Sequence, residues 1–145
     1  MAMSRPRVTV KVLRCESIQL VAESDIVASR HKCRTWATEA GFRLVDQTKI
    51  VTAASELARN TVQYGGGGKL LIELLDDANR SGIRLTFSDQ GPGIPDIERA
   101  MQDGYTTGTG LGLGLSGSRR LMNEFAIRSE VGRGTTVVVT RWRDR

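Results

Sequence analysis

Two crowded runs of glycine, at positions 65–68 and 108–114, cut this 145-residue chain into blocks that must fold around them. They hold eight of its sixteen glycines. Such crowding calls for backbone conformations that side chains forbid, or for a ligand held close to the main chain. Between them, Asp89-Gln-Gly-Pro-Gly-Ile-Pro95 carries too much Gly and Pro for regular structure. Helices and strands are therefore confined to what these three segments leave.

The remaining blocks have clear periods. Val8, Val10 and Val12 alternate with Thr9 and Lys11, which predicts a half-buried strand, with a second extended piece around Ile18–Val21. Ser24 or Asp25 is placed to cap a helix whose stripe runs Ile26, Cys33, Ala37 and Ala40, stopping at Gly41. Asp46 is expected to open a second helix, in which Ile50, Ala54, Leu57 and Thr61 keep the 3.6-residue period. Leu70, Ile72 and Leu74 predict one strand, and Ile83, Leu85 and Phe87 another. A short helix over 96–102 follows, then a helix from Ser116 carrying Leu121, Met122 and Phe125. Strands around Ile127–Val131 and Thr135–Arg141 close the chain. This order predicts one α+β domain over 1–145, with helices on one face of a mixed, mainly antiparallel sheet.

Three places carry chemistry. On the second helix Glu56 and Asn60 lie one above the other, on a flank away from the apolar stripe. An Asn oxygen suits Mg²⁺ and a carboxylate can take a proton, although the pair alone also reads as a solvated polar face. Asp89 shares the strand parity of Ile83, Leu85 and Phe87, so it points inward and needs donors, such as an adenine amino group or the backbone of its own turn. Gly91 and Gly93 would let a purine lie against the main chain. Gly108-Thr-Gly-Leu-Gly-Leu-Gly114 feeds a helix start, where amides and the positive dipole end face an anion, or else forms a mobile linker.

Other readings fall away. Gly112-Leu-Gly-Leu-Ser-Gly117 fits the dinucleotide pattern, but no strand precedes it, and no Lys is present to make a P-loop. Cys15 and Cys33 have no metal-ligand spacing and, with no secretory signal ahead of them, are expected to be reduced thiols in a cytoplasm. No apolar run approaches the roughly 18 residues that span a membrane. The net charge of +5 includes a cluster at Arg141, Arg143 and Arg145, which suits phosphates or an acidic partner. With 5% aromatic residues and no basic patch interleaved with them, a nucleic-acid binder is not indicated. His31 is expected on the surface of the first helix.

Taken together and in order, the Glu56/Asn60 helix, Asp89-x-Gly-x-Gly, the glycine loop and Gly134-Thr135 resemble the four boxes of the GHKL superfamily, which includes gyrase-type topoisomerases, heat-shock chaperones and histidine kinases. Ser55-Glu-Leu-Ala-Arg-Asn60, Asp89-Gln-Gly-Pro-Gly-Ile-Pro-Asp96 and Arg120-Leu-Met-Asn-Glu-Phe125 narrow the likeness to RsbT-type stressosome switch kinases, relatives of anti-sigma factor kinases. That resemblance implies a two-layer α/β sandwich and transfer of the ATP γ-phosphate to a serine or threonine of a STAS-domain protein. It also implies direct partners, a serine phosphatase or a sigma factor, and an alternative role as a binding switch with little catalysis. Carried over by match, Asn60 ligates Mg²⁺ and Glu56 is the base. Asp89, Gly91, Gly93 and Thr135 surround adenine, and Gly108, Gly110, Leu111, Gly112, Leu113 and Gly114 form the lid over the phosphates. A histidine kinase does not fit, because His31 lacks the surroundings of a phosphoacceptor and the residues before Glu56 are too few for its helical hairpin.

Overall fold

The computed structural model describes residues 9–102 and 114–144. In chain order these form β1 (Lys11–Leu20), α1 (Glu23–Glu39), α2 (Leu44–Gln63), β2 (Gly68–Asp76) and β3 (Arg80–Asp89). After them come α3 (Ile97–Ala100), α4 (Leu115–Leu121), β4 (Glu124–Glu130) and β5 (Gly134–Asp144). The strands make one sheet in the order β1-β2-β3-β5-β4, and each of its pairings is antiparallel.

Strand alternation sends Leu70 and Ile72 of β2, Ile83, Leu85 and Phe87 of β3, and Val137 and Val139 of β5 to one face. There they join Ile26, Cys33, Trp36 and Ala37 of α1 and Ile50, Ala54 and Leu57 of α2 in a single buried cluster. Each large side chain so buried contributes about 1.5–3 kcal/mol of apolar transfer. The helices thus lie on one face, and the stripe read from α2 is the face it buries, Thr61 included. His31 is exposed, and burial pushes the Cys33 thiol up to about 12, so that sulfur is a core atom.

Several local details depart from expectation, each for a physical reason. Of the first expected strand, Val8 lies outside the described residues and Val10 precedes β1. Val10 and Val12 are exposed where a half-buried strand was expected. β1 runs on through the second expected piece to Leu20, with a register shift between Val12 and Arg14. Helix α1 has Ala22 at its N-cap position, and Asp25 reaches back to accept from the Val21 and Ala22 amides, both at 2.9 Å. Those two bonds hold its carboxyl below the usual range. Helix α2 opens at Leu44, ahead of Asp46. Helix α4 stops at Leu121 because Asn123 already pairs with β5: its amide donates to the Thr140 carbonyl and its side chain accepts from the Trp142 amide. Phe125 therefore belongs to β4.

Arg145 lies outside the described residues, and Arg141 and Arg143 do not share one surface cluster. Arg141 points inward, bonding the Leu121 carbonyl at 2.9 Å and Asp46 at 2.8 Å, and so ties α4 and the first turn of α2 to β5. On the opposite face of the sheet the Trp142 ring lies over Gly82, where an added Cβ would meet the ring at 2.6 Å, and the Arg80 guanidinium lies 4.0 Å from the ring centroid.

Candidate functional site

A cleft opens between α2, the inner end of β3 and the start of β5. Helix α2 contributes Leu57, Asn60, Thr61 and Tyr64; Phe87 and Asp89 come from β3; Ile94, Leu115, Thr135 and Val137 complete the wall. Three expected site residues, Asn60, Asp89 and Thr135, thus meet in one place from three elements. The enclosed space is about 20 Å³. That is room for about one water.

Asp89 stands at the centre. Its Oδ1 accepts from the Gly91 amide at 2.9 Å and the Thr135 amide at 3.3 Å. Burial pushes its pKa above the usual carboxylate range, against those two bonds. Asp89 organises its own turn through Oδ1, as one of its two sequence readings expects, and neither of those bonds uses Oδ2.

Glycine makes this possible by packing as much as by flexibility. A Cβ on Gly65 would fall 2.4 Å from the Asp89 Cγ, and one on Gly134 2.1 Å from the Asp89 carbonyl oxygen. Gly91 packs on Gly65, with an added Cβ 2.7 Å from its Cα. Gly93, at φ +78°, packs on the Glu130 carbonyl, and its own carbonyl accepts from the Tyr64 hydroxyl at 2.9 Å. Gly65 lies in the first glycine run and Gly134 in the Gly-Thr box, but their packing on Asp89 was not expected and comes from the fold.

Glu56 sits one turn before Asn60, half-exposed, with Oε1 accepting from Arg59 at 3.1 Å. Gly114 lies against it at φ +82°, where a Cβ would come within 2.8 Å of the Glu56 Cβ. Asn60 Nδ2 is buried without a hydrogen-bond partner among the described residues. An orphaned donor facing a cleft that also holds an inward carboxylate fits a polar ligand with both acceptor and donor groups. Among the described residues no three carboxylate, His or Cys side chains gather as a metal cage. The Asn60 carboxamide also carries an oxygen of the kind that a hard cation takes. Gly108, Gly110, Leu111, Gly112 and Leu113 lie outside the described residues.

A second polar hub was also missed. Ser129 Oγ lies 2.7 Å from the Ile94 amide, 2.7 Å from Thr135 Oγ1 and 3.2 Å from the Gly134 carbonyl.

Residues 45–144 match the family model of histidine kinase-, DNA gyrase B- and HSP90-like ATPases. The chain is 47% identical over 125 residues to the serine/threonine-protein kinase RsbT of Bacillus subtilis, covering 86% of this chain and 94% of that protein. It is 34% identical over 102 residues to the anti-sigma F factor of Geobacillus stearothermophilus, covering 65% of this chain and 68% of that one. Among solved structures, the RsbU and RsbW domains of a Mycobacterium tuberculosis protein share its fold with a TM-score of 0.63 at 24% identity. That likeness covers 90% of this chain, which spans 33% of the mycobacterial one.

Proposed function

The chain belongs to the histidine kinase-, DNA gyrase B- and HSP90-like ATPase family as an ATP-using serine/threonine protein kinase of the RsbT type, and we propose that the cleft around Asp89 is where it holds ATP. The convergence of Asn60, Asp89 and Thr135 on one cleft, with Glu56 one helical turn away, carries this reading. In it Asp89 accepts from the adenine amino group, and Gly91, Gly93 and Thr135 shape the wall beside the base. Asn60 would help hold Mg²⁺, which neutralises phosphate charge. Gly114, with Gly108, Gly110, Leu111, Gly112 and Leu113, would cover the phosphates.

Glu56 would remove the proton from the acceptor hydroxyl as its oxygen attacks the γ-phosphorus and the bond to ADP breaks. Positioning and charge neutralisation do most of the work in such a transfer. Arg59 occupies Oε1, so the base either releases that guanidinium or uses Oε2.

The acceptor in this proposal is a serine or threonine of a STAS-domain regulator in a partner-switching pathway, with a serine phosphatase or sigma factor as a further partner. The setting is cytoplasmic, where Cys15 stays an exposed thiol, and residues 1–145 act as one kinase domain. Among the described residues no helix is long and apolar enough to cross a membrane.

The test is incubation with radiolabelled ATP, Mg²⁺ and a STAS-domain protein encoded nearby. Label on serine or threonine is expected, with Glu56→Ala retaining ATP binding and losing at least about a hundredfold in transfer, the scale of a general base. Tight partner binding without label would leave a switch in place of a kinase. Unchanged ATP binding by the Asp89→Asn, Asn60→Ala double variant would overturn the site.

A further inference from the structure

We infer that Ser129 is a positioning residue of the nucleotide site, fixing both the Ile94 wall and the hydroxyl that Thr135 presents to the cleft. The inference rests on reading the cleft as the ATP site. Ser129 lies on β4, outside every segment to which a role has been given, and does not line the cleft itself. Its parity with Phe125 and Ile127 turns it inward.

A serine hydroxyl has one proton and two acceptor lone pairs. The Ile94 amide takes one lone pair at 2.7 Å, which pins the loop after Asp89 to β4. The proton then has two destinations, the Gly134 carbonyl at 3.2 Å or Thr135 Oγ1 at 2.7 Å. If it goes to Gly134, Thr135 must donate to Ser129 and turns acceptor lone pairs toward the cleft. If it goes to Thr135, that hydroxyl keeps its own proton to give. Ser129 thus ties the polarity of Thr135 to the placement of Ile94, and both residues line the cleft. Asp89 joins the same two segments from the other side, through the Gly91 and Thr135 amides. Loop and strand are clamped twice, once by a carboxylate and once by a hydroxyl.

Removing the hydroxyl leaves the amide of the buried Ile94 without a partner and frees the Thr135 rotor. Ser129→Ala is expected to raise the KM and Kd for ATP about tenfold, the size of one lost buried partner. The kcat at saturating ATP should stay within about twofold, because nothing at the phosphate end has moved. Ser129→Thr keeps the hydroxyl and should restore affinity. If the alanine variant folds poorly, Ser129→Cys keeps the shape with a much weaker bridge and should show the same KM effect. Combined with Thr135→Ala, Ser129→Ala should weaken binding by less than the product of the two single effects, since they break one shared bond.

Unchanged ATP affinity in Ser129→Ala and Ser129→Cys, with Asp89→Asn still weakening it, would overturn the inference and leave the site standing. So would strict multiplicativity in the double variant. An ATP affinity that survives Asp89→Asn would remove the site reading itself, and this inference with it.

Discussion

Asp89 carries two demands on one carboxyl group. In the proposed role a ligand amino group is bound more strongly by the ionised form, yet burial raises its folded pKa above that of the unfolded chain. The native state therefore binds this proton more tightly than the unfolded one. Stability from the protonated form is complete below the unfolded value of about 3.9 and is lost as pH rises through the folded value. Asp89→Asn removes the charge and keeps an oxygen for the Gly91 and Thr135 amides. In thermal unfolding without nucleotide, this variant should be more stable than wild type at about pH 7, with the gap closing toward about pH 4. A gap independent of pH would mean that burial is not the cause. Reading this residue from sequence worked as far as its direction: parity with Phe87 turned it inward. Its glycine collar was out of reach. The Gly65–Gly68 run and the Gly134-Thr135 box stand out in the sequence, but that both pack on Asp89 is decided only by folding. The link from Ser129 to the Ile94 amide was hidden because it too joins segments far apart in the chain.

Helix α4 shows how one residue type takes opposite signs within an element. Gly117 lies inside the helix with open space where a Cβ would go, so Gly117→Ala should stabilise by about 0.5–1 kcal/mol through backbone entropy. Gly114, its left-handed N-cap residue, abuts Glu56, and Gly114→Ala should cost about 1–3 kcal/mol and displace that carboxylate. Denaturant unfolding of the two variants checks both signs. Long periodic elements were the legible ones: α2 was recognisable because Ile50, Ala54, Leu57 and Thr61 share a stripe that it buries. Element ends were less so. The β1 shift at Arg14 and the pairing of Asn123 with β5 depend on partners that no local pattern names.

For the molecule as a whole, the α+β architecture followed from the order of the blocks, but the strand order did not, because pairing across the sheet is a long-range choice. β5 follows β4 in the chain yet lies between β3 and β4. It brings Thr135 beside Asp89, and it is the strand that β4 pairs with. A chain ending at Arg133, before β5, should therefore fail to bind a fluorescent ATP analogue, even where α1 and α2 have formed; binding at that length would contradict the dependence on β5. During synthesis β3 emerges with one edge unfilled, and β4 emerges before the strand that it pairs with. Only the strand translated after both completes the nucleotide cleft. With the cleft read as the proposed ATP site, ATP is expected to be captured only once β5, which supplies Thr135 and Val137, has emerged and paired.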